Sequence, residues 1–286
     1  MRIPCGRHAA RALVSAALLG AACGTGEGTG PGIPSPTVYE TTHFVIVDEA
    51  GTPAAVIDSL GVRLEAEYLR VAAALPTQPA PGRITFRVLA GRGIPFVTPG
   101  SRLIAQWAED LAPEYVVHQL THLFTRYRRS PFFEEGLAVY LTELLLPDDR
   151  TVNPYRGQPP HAWVSLFQRE TTLVSLFTAV RAGDFSFSYS GSASDAFAWQ
   201  VFVQAGSFTR WVIDTYGWTT WWTLYDVEDL GAALGGTTLD LQRAWLAAAS
   251  QAYPDPLPCA TALATRGPLG ARETFWCASA EGTSAR

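Results

Sequence analysis

Val117-His118-Gln119-Leu120-Thr121-His122-Leu123, followed by Phe132-Phe133-Glu134-Glu135-Gly136-Leu137-Ala138, is the part of this chain on which its reading turns. On a helix, positions i and i+4 share a face with Cβ atoms about 5–6 Å apart, so His118 and His122 can bind one ion together. Residues 111–127 favour that helix, because Val116, Leu120, Phe124 and Tyr127 fall on one face. Ser130-Pro131 then offers an N-cap residue and a proline at the first helical position. A second helix is expected from there, running through Leu137, Tyr140, Leu141 and Leu144 and ending before Pro147. It can bring Glu135 beside the two histidines as a third ligand. Gly136 fits this, since a glycine early in a helix costs about 1 kcal/mol relative to alanine and a close approach of two helices would be a reason for it. Each part also has a plainer reading. Lone His-x-x-x-His pairs are often ordinary surface or core histidines, and Glu134-Glu135 also suits the positive end of a helix dipole. Helix, spacing and downstream acid together favour a metal.

Ahead of this motif the pattern is mixed. Thr42–Asp48 and Ile84–Leu89 read as strands, and Phe96-Val97 with Leu103–Trp107 as two short ones. Between the first two, residues 54–75 are helical, with Val56, Ile57, Leu60, Leu64, Tyr68 and Val71 on one stripe. After the motif, residues 150–162 form a polar, proline-rich loop containing His161, and helices are expected near 163–181, 195–216, 218–227 and 237–251. This is an α+β arrangement: a strand–helix–strands lobe, then the metal helix, then a mainly helical lobe.

Composition bounds the partners. A chain of 286 residues with 48% apolar content can bury one sizeable core or two lobes sharing a cleft. All 21 basic residues are arginine, which reads as codon bias and not as chemistry. Residues 1–22 carry three arginines and no acid, so without them 18 arginines face 26 acidic residues, a charge of -8. Such a balance argues against nucleic acid as a partner. Three arginines before the apolar run Ala12–Ala22, too short to span a bilayer, look like an export signal. Cys23 and a Gly/Pro-rich run follow, and the whole resembles a bacterial lipoprotein signal, with Cys23 as the lipidated residue and 23–38 as a tether to the membrane. An ordinary secretory signal cut near Ala22 is the alternative. Either way the chain is expected outside the cytoplasm, in the cell envelope or secreted. Cys259 and Cys277, left over in a loose tail from 253 to 286, are expected to form a disulfide in that oxidising setting. Closing such a loop is worth about 3 kcal/mol in the chain-entropy picture. A cysteine-only metal site is the rival, disfavoured by the absence of a nearby histidine.

The pattern V-x-H-E-x-x-H, a short loop, then aromatic-x-E-G-L-A-x-Y belongs to the peptidase MA-like branch of the gluzincin zinc metallopeptidases. This chain resembles it at Val116, His118, Leu120, Thr121, His122, Glu135, Gly136, Leu137, Ala138 and Tyr140. Residues 205–217 look like the family's helix after the active site and 234–245 like its closing helix, so the resemblance covers roughly residues 39–250. It implies a zincin-like domain over 39–252, with a small N-terminal mixed sheet packed on the metal-site helix and a mainly helical C-terminal lobe. It also implies zinc, held by His118, His122 and Glu135. Three protein ligands with a fourth position left to water is the arrangement of catalytic zinc sites.

Gln119 departs from the family. There the residue after the first histidine is a glutamate that takes a proton from the attacking water and passes it to the leaving amine. An amide has no pKa near neutrality, and losing acid–base assistance costs about 10²–10⁴ in rate. Two other acids are candidate substitutes: Glu114, on the face of His118 but suited to the helix's first turn, and Glu134, which should point about 100° away from Glu135. Candidates for stabilising an oxyanion are His161, Tyr189 and Tyr140, none in a recognisable pattern, while Phe202 stands where relatives often carry Tyr. Phe202 and Trp199, with Trp211, Trp218, Trp221, Trp222 and Tyr225, read as core more than as a ligand platform. Three functions follow. The first is a degenerate gluzincin that binds peptides, with an extended peptide added at the sheet edge near Leu103–Trp107. The second is an active peptidase with another base. The third is an envelope interaction module in which the metal only ties two helices.

Overall fold

The computed structural model describes residues 36–258, apart from 78–81, 92–95, 98–100, 109–110, 112, 126–129, 147–157 and 182–192, together with Thr261. Cys5, Cys23, Cys259, Cys277, Tyr127, Arg126, Arg128, Arg129 and Tyr189 lie outside the described residues, so the lipidation and disulfide expectations do too. The elements below all belong to the unit Ser35–Arg286.

A hairpin of β1 (Thr37–Glu40) and β2 (Phe44–Asp48) opens the sheet. β1 therefore begins inside the stretch read from sequence as tether. Four residues of polar and apolar character carry little periodic signal, and pairing with β2 supplies what the sequence lacks. β2 pairs in parallel with β3 (Ile84–Leu89), and β3 in parallel with β5 (Leu103–Trp107), while β4 (Phe96–Val97) closes the far side antiparallel to β5. The order is β1-β2-β3-β5-β4. A parallel pair needs a crossover, which α1 (Ala54–Ala74) provides between β2 and β3. Register aligns Phe44 with Ile84 and Ile46 with Phe86, and Phe86 with Ile104, so the buried side chains of three strands share one face.

That face is covered by α1 through Ile57, Leu60, Gly61, Leu64 and Val71. Val56, placed on the stripe from sequence, is exposed instead, because one residue's 100° step carries it off the face that Ile57 holds. Asp48 is buried at the end of β2. Its carboxylate accepts from Ala50 N, Thr52 N and Thr52 Oγ1, which shapes the turn into α1.

Eight helices are described. α2 (Pro113–Phe124) and α3 (Pro131–Leu145) follow the sheet, then α4 (Pro160–Arg169) and α5 (Leu176–Arg181). α6 (Ala193–Val227), α7 (Leu230–Leu234) and α8 (Thr238–Ala252) complete the helical lobe. Sequence reasoning expected one helix over 163–181 and a loop through His161. The chain instead starts α4 at Pro160 and breaks after Arg169, with Thr171 at φ 58°. Polar side chains from elsewhere satisfy the backbone of that break. Gln200 donates to Thr172 O, the Gln204 amide bonds both N and O of Val174, and Gln242 accepts from Leu176 N. Buried backbone groups require partners, and no local pattern reveals glutamines 30 or 66 residues away. The two helices expected at 195–216 and 218–227 are both present: α6 consists of two helical segments that meet at Gly217, whose backbone (φ 82°) is not helical.

Residues 253–258, read as part of a loose tail, lie on α4: Ser165 donates to Tyr253 O, and Arg169 donates to the carbonyls of Pro256 and Leu257. Among the described residues no helix is long and apolar enough to cross a membrane. The result is an α+β protein, one mixed five-stranded sheet with a larger helical lobe.

Candidate metal centre

α2 is positioned by its apolar side. Val116, Val117, Leu120 and Thr121 are fully buried, and Phe124 reaches Tyr68 of α1, with ring centroids 5.2 Å apart. This leaves His118 and His122 on the face turned toward α3. α3 starts where Ser130-Pro131 predicts, although the Ser130 hydroxyl does not cap the helix. It donates to Val180 O and so ties the end of α5 to the start of α3.

What sets α3 against its neighbours is a close crossing with α6. A Cβ at Gly136 would lie 2.5 Å from Thr209 Oγ1 and 2.7 Å from the carbonyl oxygen of Ala205. One at Gly206 would collide with Val139. From sequence, Gly136 reads as a close approach between the two helices that carry His118, His122 and Glu135. The partner that needs its missing side chain is α6, the helix whose Phe202 also reaches His118.

His118, His122 and Glu135 come together as the sequence predicts. Their donor atoms all lie within 4.8 Å of one another. Glu135 Oε2 is 3.0 Å from His118 Nε2 and 3.4 Å from His122 Nε2. The two imidazole rings meet edge to face at 4.9 Å. The group is sheltered but reachable, with 16% of the His118 side chain and 20% of Glu135 exposed against 6% for His122.

Electrostatics in this group are opposed. Burial pushes the Glu135 carboxyl up, but the charge of His122 and hydrogen bonds from both imidazoles outweigh it, and Glu135 is held well below the usual carboxylate range. Burial pushes His118 down, and Glu135 only partly offsets this. For His122 burial also lowers the pKa, yet Glu135 and then Glu134 raise it above its ordinary value. A buried carboxylate that draws a proton onto one neighbouring imidazole is a site that favours a cation, and metal ligation displaces such a proton.

Glu134 was expected to point away from the ligands. It is buried, and its Oε1 lies 3.7 Å from Nδ1 of His122, on the opposite side of that ring from Glu135. Phe202 lies parallel to His118, with centroids 6.2 Å apart and ring planes 10° from parallel. It walls the site instead of merely filling the core. Gln119 is on α2 beside His118 and nearly buried. The side chain of Glu114 lies outside the described residues.

The other candidates lie elsewhere. His161 is in α4, where its Nδ1 meets Ser207 Oγ at 2.9 Å, and the same hydroxyl accepts from Trp245 Nε1. Ser207 is five residues beyond Phe202 on α6, about 140° around that helix, so it faces away from the ring that walls the metal group. Tyr140 is five residues beyond Glu135 on α3, equally far around, and packs edge to face on Trp218. Its neighbours are charged: burial and Asp214 raise its pKa, while Arg210 opposes them. Trp211, Trp221 and Tyr225 are core residues as expected, with Trp218 and Trp222 stacked on one another at its margin. β5 is not a free edge either, since Ile104 and Ala105 pair with β4.

No protein-family model matches this chain, and no curated protein gives a match to it. Fold and site define the class by themselves: an α+β protein in which two helices bring two histidines and one glutamate together as a group able to hold a metal ion.

Proposed function

We propose that this protein is an exported, zinc-binding relative of the gluzincin metallopeptidases in which hydrolysis is impaired because Gln119 occupies the position of the general base. The observation that carries the reading is the convergence of His118, His122 and Glu135 from α2 and α3. A tetrahedral centre with bonds of about 2.0–2.1 Å sets its donor atoms roughly 3.3 Å apart. The separations of 3.0 and 3.4 Å from Glu135 Oε2 to the two Nε2 atoms fit that figure. Two imidazoles and a carboxylate also suit zinc chemically, among other first-row metals. The mixed sheet ahead of α2 and the helical lobe behind α3 agree with a zincin-like domain.

Zinc, when bound, supplies Lewis-acid polarisation of a carbonyl and lowers the pKa of water. The rest of the chemistry falls to the chain. Gln119 can orient a peptide group or a water by hydrogen bonding, but its amide cannot accept and return a proton. Glu134 faces the rear nitrogen of His122, Tyr140 packs on Trp218, and His161 is bonded to Ser207. The position of Glu134 counts against it as a substitute base, and those of Tyr140 and His161 count against either as an oxyanion donor. Phe202, with no hydroxyl, gives the wall of the site no donor for an oxyanion.

Metal analysis of the purified full chain tests the site, with zinc at about one equivalent expected and its loss in His118→Ala. Another metal in that stoichiometry would replace zinc in the reading, and no metal would overturn it. Peptidase assays on wild type and Gln119→Glu test the impairment: equal activity in the two would refute it. A Glu variant that binds zinc and stays inert would point instead to a metal that only ties α2 to α3. Export with a lipid on Cys23 is proposed from the N-terminal pattern alone, and mass spectrometry of the mature N-terminus in cells decides it.

A further inference from the structure

We propose that Glu134 is a positioning residue of the metal centre, orienting His122 from behind and raising the site's affinity for a divalent cation; this rests on the reading of His118, His122 and Glu135 as ligands. The two adjacent glutamates of α3 bracket one imidazole. Glu135 Oε2 lies 3.4 Å from Nε2 of His122, and Glu134 Oε1 lies 3.7 Å from its Nδ1. Both the His122 and Glu134 side chains are buried, at 6% and 7% exposed. The 100° step between neighbouring helical residues, which from sequence alone sends Glu134 away from the metal, is what carries it round to the other nitrogen.

The chemistry of the ring gives this placement its meaning. A neutral imidazole keeps one proton and can ligate only through its other nitrogen. With an anionic acceptor behind Nδ1, the proton is held there and the Nε2 lone pair is directed at Glu135 and the ion. The present separation exceeds a hydrogen bond by about 0.7 Å, so the contact is electrostatic as it stands. Outer groups of this kind change metal affinity about 10–100-fold when removed.

The test uses the full chain stripped of metal, with zinc alone as the probe in competition against a chromophoric chelator. Wild type, Glu134→Gln, Glu134→Ala and Glu135→Ala are compared, and urea unfolding of each metal-free protein serves as a folding control. Glu134→Ala is expected to weaken zinc binding about 10–100-fold without loss of metal-free stability. Glu134→Gln, which keeps an acceptor oxygen and loses the charge, should fall between it and wild type. Long-range ¹H–¹⁵N spectra of the zinc-loaded wild type should show the His122 proton on Nδ1. Unchanged affinity in Glu134→Ala would overturn the proposal. So would a loss as large as that of Glu135→Ala, because Glu134 would then be a ligand. If wild type itself binds no zinc, the ligand reading falls and takes this proposal with it.

Discussion

Gln119 and a glutamate differ by one atom, an amide nitrogen for a carboxylate oxygen, so Gln119→Glu tests proton transfer with almost no change of shape. Peptide hydrolysis by the variant is expected to exceed wild type by about 10²–10⁴, read as kcat/KM on unstructured peptides at saturating zinc. His161 supports a different prediction. Burial first, and then Arg210, lower its pKa from 6.5 to about 4. Between those values the unfolded chain binds a proton that the folded chain refuses, so stability falls as pH drops below about 6.5 and the loss levels off near pH 4. The difference amounts to roughly 3 kcal/mol for a shift of this size. Urea unfolding at pH 7 and pH 4.5 should show a loss larger in wild type than in His161→Asn by about that amount, since the asparagine keeps a polar partner for Ser207 without titrating. Equal pH dependence in the two proteins would assign the acid sensitivity to other groups.

At the scale of elements, the close crossing of α3 and α6 fixes where α3 stands, and with it Glu135. Gly136→Ala places a methyl 2.5 Å from Thr209 Oγ1 and 2.7 Å from a backbone oxygen of α6, which cannot swing aside. Overpacking of this sort costs about 1–3 kcal/mol. The variant should lose that much in metal-free urea unfolding and bind zinc more weakly, since Glu135 is the next residue. Gly206→Ala meets Val139, a stiff β-branched side chain that a second substitution can remove. The Gly206→Ala/Val139→Ala pair should therefore be less destabilised than the sum of its singles, a coupling that a double-mutant cycle reads directly. Additive costs would mean that the helices part instead of repacking. The motif helices α2 and α3 were legible because amphipathic spacing and the Ser-Pro start are local signals. The α4–α5 break was not, because its backbone is satisfied by glutamines on α6 and α8. β1 escaped notice for the same reason, being defined by its partner strand.

Across the whole molecule, His118, His122 and Glu135 join α2 to α3, and α3 in turn carries the contact with α6. Metal that binds the folded chain alone stabilises it by about 2.7 kcal/mol at a free concentration 100 times Kd. For a domain of this size that is a rise of about 5–10 °C in Tm. Thermal unfolding with and without zinc should show the rise, a chelator should reverse it, and Glu135→Ala should abolish it. A Tm indifferent to zinc in wild type would mean that the ion, if bound, contributes nothing to holding the two helices.

The sequence by itself determined the α+β class, most of its elements and the three residues that come together as a group able to hold a metal ion. Periodicity, helix starts and an i, i+4 histidine pair are properties of neighbouring residues, and the side chain of Gln119 is chemistry that no fold can alter. Only tertiary structure decided which surfaces those residues meet. It turned Gly136 toward α6, set Glu134 behind His122 and Phe202 beside His118, and took His161 and Tyr140 into other contacts. It also put β4 outside β5. The physical reason is the same in each case: a side chain's partner across an interface depends on the placement of segments tens of residues away, which packing and hydrogen-bond satisfaction fix together.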